Sequence, residues 1–297
     1  MKWPVRSKSA KRKETPFFNL MYLHAPGQGG PDPTISWTTE MPWKPVQTYL
    51  NGKNDRGSVM IGTTHVLIQA VAHALAMHPE LNRRVVGRRV HSFRDRNVCL
   101  ATRQPGNNEV NLIMIYKADQ TSIDRIAHLV WHYQLEYRRK ENPVIRDRDR
   151  LRRLPSWFFR TSLRLFQWTE NLFPMPIFGR VDRFRSSPVL INDFSHSRFP
   201  TMRAYKPSRM PDESKSLSVT LGPREQKVIW QNGQPKPINV SPLCVRGDHR
   251  ICDGYQLSLF VTTLLSLLAN PAAMEKQITG ESGIIGTSQR NSNIKAA

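Results

Sequence analysis

The sequence predicts an α/β fold: one domain in which helices pack against a mixed β-sheet. Three observations carry that prediction. Two segments hold apolar residues at helical spacing, with Val66, Leu67, Ala70, Val71, Ala74 and Leu75 on one and Ile123, Ile126, Ala127, Val130 and Trp131 on the other. Short stretches of strand character lie between and after them, at 98–102, 110–116, 189–192, 216–221 and 227–230. A chain of 297 residues, 39% of them apolar, can bury one large core from these parts.

Taken in order, residues 1–15 are a basic lead-in and 17–23 an apolar, aromatic strand. Residues 25–57 are rich in Pro, Gly and Asn and are expected to form a long loop with a strand at 35–39. Thr63 or Thr64 caps the first helix, and His78-Pro79 ends it, because the residue before a proline avoids helical backbone. A strand at 88–93 precedes those at 98–102 and 110–116, and the second helix starts near Thr121. Next comes a basic run of Arg146, Arg148, Arg150, Arg152 and Arg153, then an aromatic helix from 154 to about 172. Asn232-Gly233 is a two-residue hairpin turn leading into 234–240, since both residues tolerate the positive φ that such turns require. A strand at 243–245 leads to a short polar segment, and an apolar helix at 255–269 ends at Asn270-Pro271. The domain is expected to span 1–275, with 276–297 a polar, disordered tail.

Composition limits the function. The net charge of +21 draws polyanions: nucleic acid, an acidic membrane surface or a phosphorylated small molecule. Cys99, Cys244 and Cys252 are odd in number and lack paired spacing, which argues against a disulfide framework and for the cytoplasm. No zinc-ligand spacing occurs, so no metal is expected. The basic N-terminus lacks the apolar run of a signal peptide, and no stretch of about 18 apolar residues predicts a membrane span. No helix-turn-helix, zinc-finger or aromatic RNA-binding signature accompanies the charge, which ranks nucleic-acid binding last.

The segment Asp248-His249-Arg250-Ile251-Cys252-Asp253-Gly254 carries the strongest chemical pattern. It falls between a strand and a helix, where a rigid scaffold can present a reactive group. A neutral imidazole is a natural general base near pH 7. From spacing alone two readings stand: His249 is a base and Asp253 fixes its loop through an arginine, or His249 is an ordinary loop residue and Asp253 a helix N-cap.

With the apolar helix and Ala269-Asn270-Pro271 that follow it, this segment resembles the signature of the acyltransferase catalytic domain of 2-oxoacid dehydrogenase complexes, within the chloramphenicol acetyltransferase-like superfamily. Thr64-His65-Val66-Leu67-Ile68-Gln69-Ala70-Val71-Ala72, with His78-Pro79-Glu80-Leu81-Asn82 after it, resembles that family's first long helix and turn. The likeness covers roughly residues 8–275. It implies a chloramphenicol acetyltransferase-like two-layer sandwich with a mixed sheet, a homotrimer with active sites at subunit interfaces, and acyl transfer between coenzyme A and a small-molecule or carrier-bound acceptor. Carried onto this chain, His249 is the base and Asp253 the structural aspartate, with Asn192 at the oxyanion position. Arg12 resembles the arginine that pairs with that aspartate, although a solvated tail residue fits it equally. Asp248, Arg250 and Gly254 are supporting positions of the motif, and Arg203, Lys206 and Arg209 are cations suited to the phosphates of coenzyme A.

Three departures from the family pattern matter. Asn192 stands where the family has Ser or Thr, which an amide can replace as a hydrogen-bond donor. No lipoyl domain precedes the catalytic region in this sequence, so a stand-alone enzyme is expected. Residues 143–185 form an aromatic and basic insertion. Trp157, Phe158, Leu163, Phe166 and Trp168 there either cover the core or a trimer interface, or shape an apolar pocket or a membrane-surface contact through 154–173. The alternative functions are a trimeric scaffold that has lost catalysis and a basic membrane-surface or nucleic-acid binder.

Overall fold

The computed structural model describes residues 8–9, 34–55, 59–86, 89–103, 110–139, 155, 157, 158, 161, 165, 187–198, 202–203 and 215–279. The expected strand at 17–23, Arg12, and most of the 143–185 insertion lie outside them. In chain order the strands are β1 (Lys8–Ser9), β2 (Thr34–Pro42), β3 (Arg83–Val86), β4 (Arg89–Ser92), β5 (Val98–Arg103), β6 (Val110–Ile115), β7 (Val189–Asp193), β8 (Leu217–Leu221), β9 (Glu225–Gln231) and β10 (Gln234–Asp248). The helices are α1 (Trp43–Asn54), α2 (Thr63–Met77), α3 (Ile123–Arg138), α4 (Gly254–Ala269) and α5 (Pro271–Thr279).

The main sheet has the order β2-β10-β8-β7-β5-β6, with β9 paired to the outer half of β10, and β1-β4-β3 make a small second sheet. Pairs β5–β7 and β7–β8 are parallel, while β2–β10, β10–β8 and β5–β6 are antiparallel. The sheet is therefore mixed, as the sequence predicts. Alternation gives it two faces. Leu100, Ile191, Val219 and Val245 lie in one row of register partners and are buried with α2 and α4 residues such as Leu67, Phe260 and Leu264. The row beside it holds Asn192, Thr220, Cys244 and Thr38, a polar face.

α2 runs from 63 to 77, the helix that the spacing predicts. Ser122, one residue after the predicted start, caps α3 by accepting a hydrogen bond from the Arg125 amide. The hairpin turn falls at Asn232-Gly233, with φ of 55° and 76°.

Several features differ from the sequence reading: Gly62, not Thr63 or Thr64, is the N-cap of α2, and β3 was not expected. The 25–57 loop contains α1, which forms because Trp43 and Val46 bury themselves and the Trp43 indole N–H donates to Ser241 Oγ at 2.7 Å. That tertiary contact overrides the weak local propensity of Asn51-Gly52-Lys53-Asn54. The strands expected at 234–240 and 243–245 are one 15-residue strand, β10. α5 begins at Pro271, where a helix tolerates proline in its first turn, and continues to Thr279, past the expected 275 boundary. Among the described residues no helix is long and apolar enough to cross a membrane.

Candidate functional site

The strand–turn–helix from β10 into α4 positions His249. Asp248, 5% exposed at the strand end, accepts hydrogen bonds from the Arg250 amide and from its guanidinium, at 2.9 Å from Nε and 2.6 Å from Nη2. The Ile251 and Cys252 amides both donate to the Asp248 carbonyl. This closed turn holds His249, half-buried, between two anchored neighbours. Gly247 just before it sits in a close space: a Cβ there would meet Cys252 Sγ at 3.0 Å and Leu257 Cδ1 at 3.3 Å, so these side chains would have to give.

The imidazole is fixed by its own loop. His249 Nδ1 lies 2.9 Å from the Cys252 carbonyl oxygen. A carbonyl only accepts, so Nδ1 carries the proton and Nε2 the lone pair in the neutral ring. Cys252 is no competing nucleophile. Burial, helped by Asp248 and Asp253, pushes its thiol up to about 12.

Asp253 is the N-cap of α4. Its Oδ1 accepts from the Gln256 amide at 2.7 Å, and Gln256 Oε1 accepts from the Asp253 amide at 3.1 Å, a reciprocal capping box. Gly254 is the first helical residue and is exposed. The pairing expected for Asp253 involves Arg12, which lies outside the described residues, as do Lys206 and Arg209; Arg203 is exposed. Of the insertion, Trp157 and Phe158 are 68% and 43% exposed, so these two do not cover the core of the single chain.

Asn192 lies on β7, its amide nitrogen 3.5 Å from Ser218 Oγ and 3.4 Å from Thr220 Oγ1. These are long contacts, beyond the ordinary range for N–H···O bonds. Asn192 lines a cleft of about 980 Å³ together with Met60, His65, Val110 and Trp131. The structure does not bring Asn192 and His249 together within one chain. Asn192 is level with Thr220 and, through it, with Cys244, four residues short of the β10 end. At the usual strand rise and spacing this is about 13 Å along the sheet and about 10 Å across it.

The same cleft holds groups that the sequence reading passed over. Thr64 Oγ1 donates to Asp193 Oδ2 at 2.6 Å, and the Ser195 amide donates to Asp193 Oδ1 at 2.8 Å. His65, at the third position of α2, accepts a hydrogen bond at Nδ1 from the Gly62 amide at 2.8 Å. The signal for this was local: a side chain three residues after a helix cap commonly reaches back to it. Among the described residues no group of three or more His, Cys, Asp or Glu side chains could hold a metal ion.

This architecture is similar to that of solved acyltransferase catalytic cores. The chain matches the cubic core of the pyruvate dehydrogenase multienzyme complex with a TM-score of 0.60 at 14% identity, covering 86% of this chain and 87% of that one. The dihydrolipoamide acetyltransferase of Azotobacter vinelandii, in which a serine, a histidine and an asparagine have been investigated for their role in the catalytic mechanism, matches with the same values. A probable dihydrolipoamide acetyltransferase from Listeria monocytogenes matches with a TM-score of 0.56 at 15% identity, over 85% of this chain and 88% of that one. At such identities the likeness is one of fold, and it is the fold that the motif resemblance implies. No protein-family profile and no curated protein sequence matches the chain.

Proposed function

We propose that this protein is an acyltransferase that moves an acyl group between acyl-CoA and a hydroxyl, amine or thiol acceptor, with His249 as general base. The hydrogen bond between His249 Nδ1 and the Cys252 carbonyl carries the reading, because it leaves the lone pair on Nε2 and holds the ring in one orientation. The four-residue spacing of His249 and Asp253 equals that of the histidine and asparagine investigated in the Azotobacter enzyme.

In the reaction, Nε2 takes the proton of the acceptor as its heteroatom attacks the thioester carbonyl. The oxyanion of the tetrahedral intermediate accepts a hydrogen bond from the Asn192 amide of a second copy of the chain. Collapse expels the coenzyme A thiolate, and the imidazolium returns the proton to it, giving the acylated acceptor and free coenzyme A. The surplus of cations, +21 overall, favours a ligand with several phosphates. The three cysteines are unpaired thiols, which suits a reducing cytoplasm.

The test is transfer of acetyl from acetyl-CoA to dihydrolipoamide and to hydroxyl and amine acceptors, with wild type beside His249→Ala. General-base assistance is worth roughly 10²–10⁴-fold, so turnover falls by that much while circular dichroism is unchanged. A folded His249→Ala protein with wild-type turnover rejects the assignment.

A further inference from the structure

We propose that the cleft at the N-terminal end of α2 binds an apolar molecule carrying a carbonyl or hydroxyl oxygen, and that His65 recognises this oxygen through Nε2–H. Under the acyl-transfer reading that molecule is the acceptor, and only this last identification rests on that reading.

The tautomer follows from geometry. The Gly62 amide can only donate, so His65 Nδ1 must be the acceptor of their 2.8 Å bond, and the neutral ring carries its proton on Nε2. His65 is half-buried, lines the cleft, and makes no hydrogen bond from Nε2 among the described residues. The arrangement is the reverse of His249, whose proton sits on Nδ1. One histidine is built to accept a proton and the other to donate a hydrogen bond.

His65 also stays neutral. Burial lowers its pKa to about 4, and the attraction of Asp193 from β7 only partly opposes this. Both Asp193 oxygens are already engaged, by Thr64 Oγ1–H and the Ser195 amide. The other ionisable groups lining the cleft are Arg103 of β5 and His128 of α3. A neutral imidazole at the start of a helix acts as a donor and not as a base.

The walls define the rest of the ligand. Met60, Val110 and Trp131 line the cleft and are 85%, 58% and 60% exposed, an apolar rim left open to solvent. Deeper recognition is shared with polar lining groups, among them Thr102, Gln134 and Asn192, and about 980 Å³ holds a body of small-molecule size. A donor that goes unmatched discriminates against a ligand without the oxygen.

The experiment compares calorimetric binding of 2-acetylnaphthalene and 2-ethylnaphthalene, alike in shape but for one carbonyl. Wild type is expected to bind the ketone about tenfold more tightly, the scale of one net hydrogen bond. His65→Gln supplies an acceptor for Gly62 N–H and a donor for the cleft, and should keep most of that preference. His65→Glu keeps the bond to Gly62 N–H, as acidic residues do at this helix position, but offers the cleft only acceptors. It should abolish the preference while its thermal stability is retained. Nitrogen NMR of the His65 ring should show the proton on Nε2 and a shift of that resonance on adding the ketone. Equal affinities in wild type, an undiminished preference in His65→Glu, or a proton on Nδ1 would each overturn the proposal. None of these readouts involves turnover, so a failure of the acyl-transfer reading is detected separately, in the acetyl-CoA assay.

Discussion

Asn192 and His249 are held by one sheet but not in one site: Asn192 is level with Cys244, four residues before the end of β10, and His249 lies in the turn just beyond that end. A hydrogen-bond donor must lie within about 3 Å of the oxyanion it stabilises. The two can act together only if a second copy of the chain brings its Asn192 to the first copy's His249. Light scattering is expected to give three times the chain mass, and mixing His249→Ala with Asn192→Ala protein should restore turnover that neither has alone. A stable monomer with full activity, or mixtures as inactive as their parents, would remove the shared site.

Asn192 itself is testable by exchange. Asn192→Ala should lower the acyl-transfer rate by about 10²-fold, the scale of one lost oxyanion donor. Affinity for coenzyme A should hold, since that donor acts mainly in the transition state. Asn192→Ser should retain activity, because a hydroxyl replaces the amide. Full activity in Asn192→Ala would move the role to another donor, and Ser195 is the first to test: its Oγ is buried and has no hydrogen-bond partner among the described residues.

Asp253 acts on the helix before it acts on chemistry. Asp253→Ala removes the bond to the Gln256 amide and should destabilise the protein by about 1 kcal/mol, as N-cap deletions do. Turnover should fall less than in His249→Ala, because the His249 ring is held by the Cys252 carbonyl and not by this carboxylate. Urea denaturation and the acetyl-CoA assay read the two effects. A loss of turnover equal to that of His249→Ala, with stability unchanged, would make Asp253 a direct participant.

Acid should weaken the fold through two half-buried histidines, His65 and His73. Burial lowers the pKa of His65 from 6.5 to about 4 and lowers that of His73 as well. Between those values the unfolded chain binds the proton more readily than the folded one, so the stability contributed is full above about pH 6.5 and is lost as pH falls toward 4. Asp119, raised by burial, works in the opposite direction. Melting temperature should therefore drop across this window less steeply in His65→Gln than in wild type. Parallel curves would show that His65 does not titrate with folding.

What was legible in the sequence was what neighbouring residues decide. Asn232-Gly233 takes positive φ at both positions with no help from the core. Asp253 and Gln256 meet across one helical turn, so the N-cap was among the readings that the pattern offered. α1 escaped because its helix rests on partners far along the chain: Ser241 for Trp43, and Glu275 for Tyr49 and Lys53. β10 reads as two strands because Pro242 falls between 234–240 and 243–245, although Pro235 and Pro237 also lie within it. Pro235 and Pro237 lie on the stretch that pairs with β9 alone, where an open edge tolerates a residue without N–H. Asn192 was found by its place in a family pattern, whereas its separation from His249 depends on strand order, which no local signal carries.

The pairing of β2 with β10 bears on how the protein comes into being. Among the described residues the sole strand partner of Thr34–Pro42 is Val240–Asp248, so the first strand of the main sheet waits for nearly the last. Closing so long a loop is entropically slow, and sheets dominated by such distant pairs fold late. A nascent chain thus leaves the ribosome with β2 unmatched until β10, and then α4, which packs on β2, have been made. A product terminated before β10 would lack both His249 and the strand that pairs with β2.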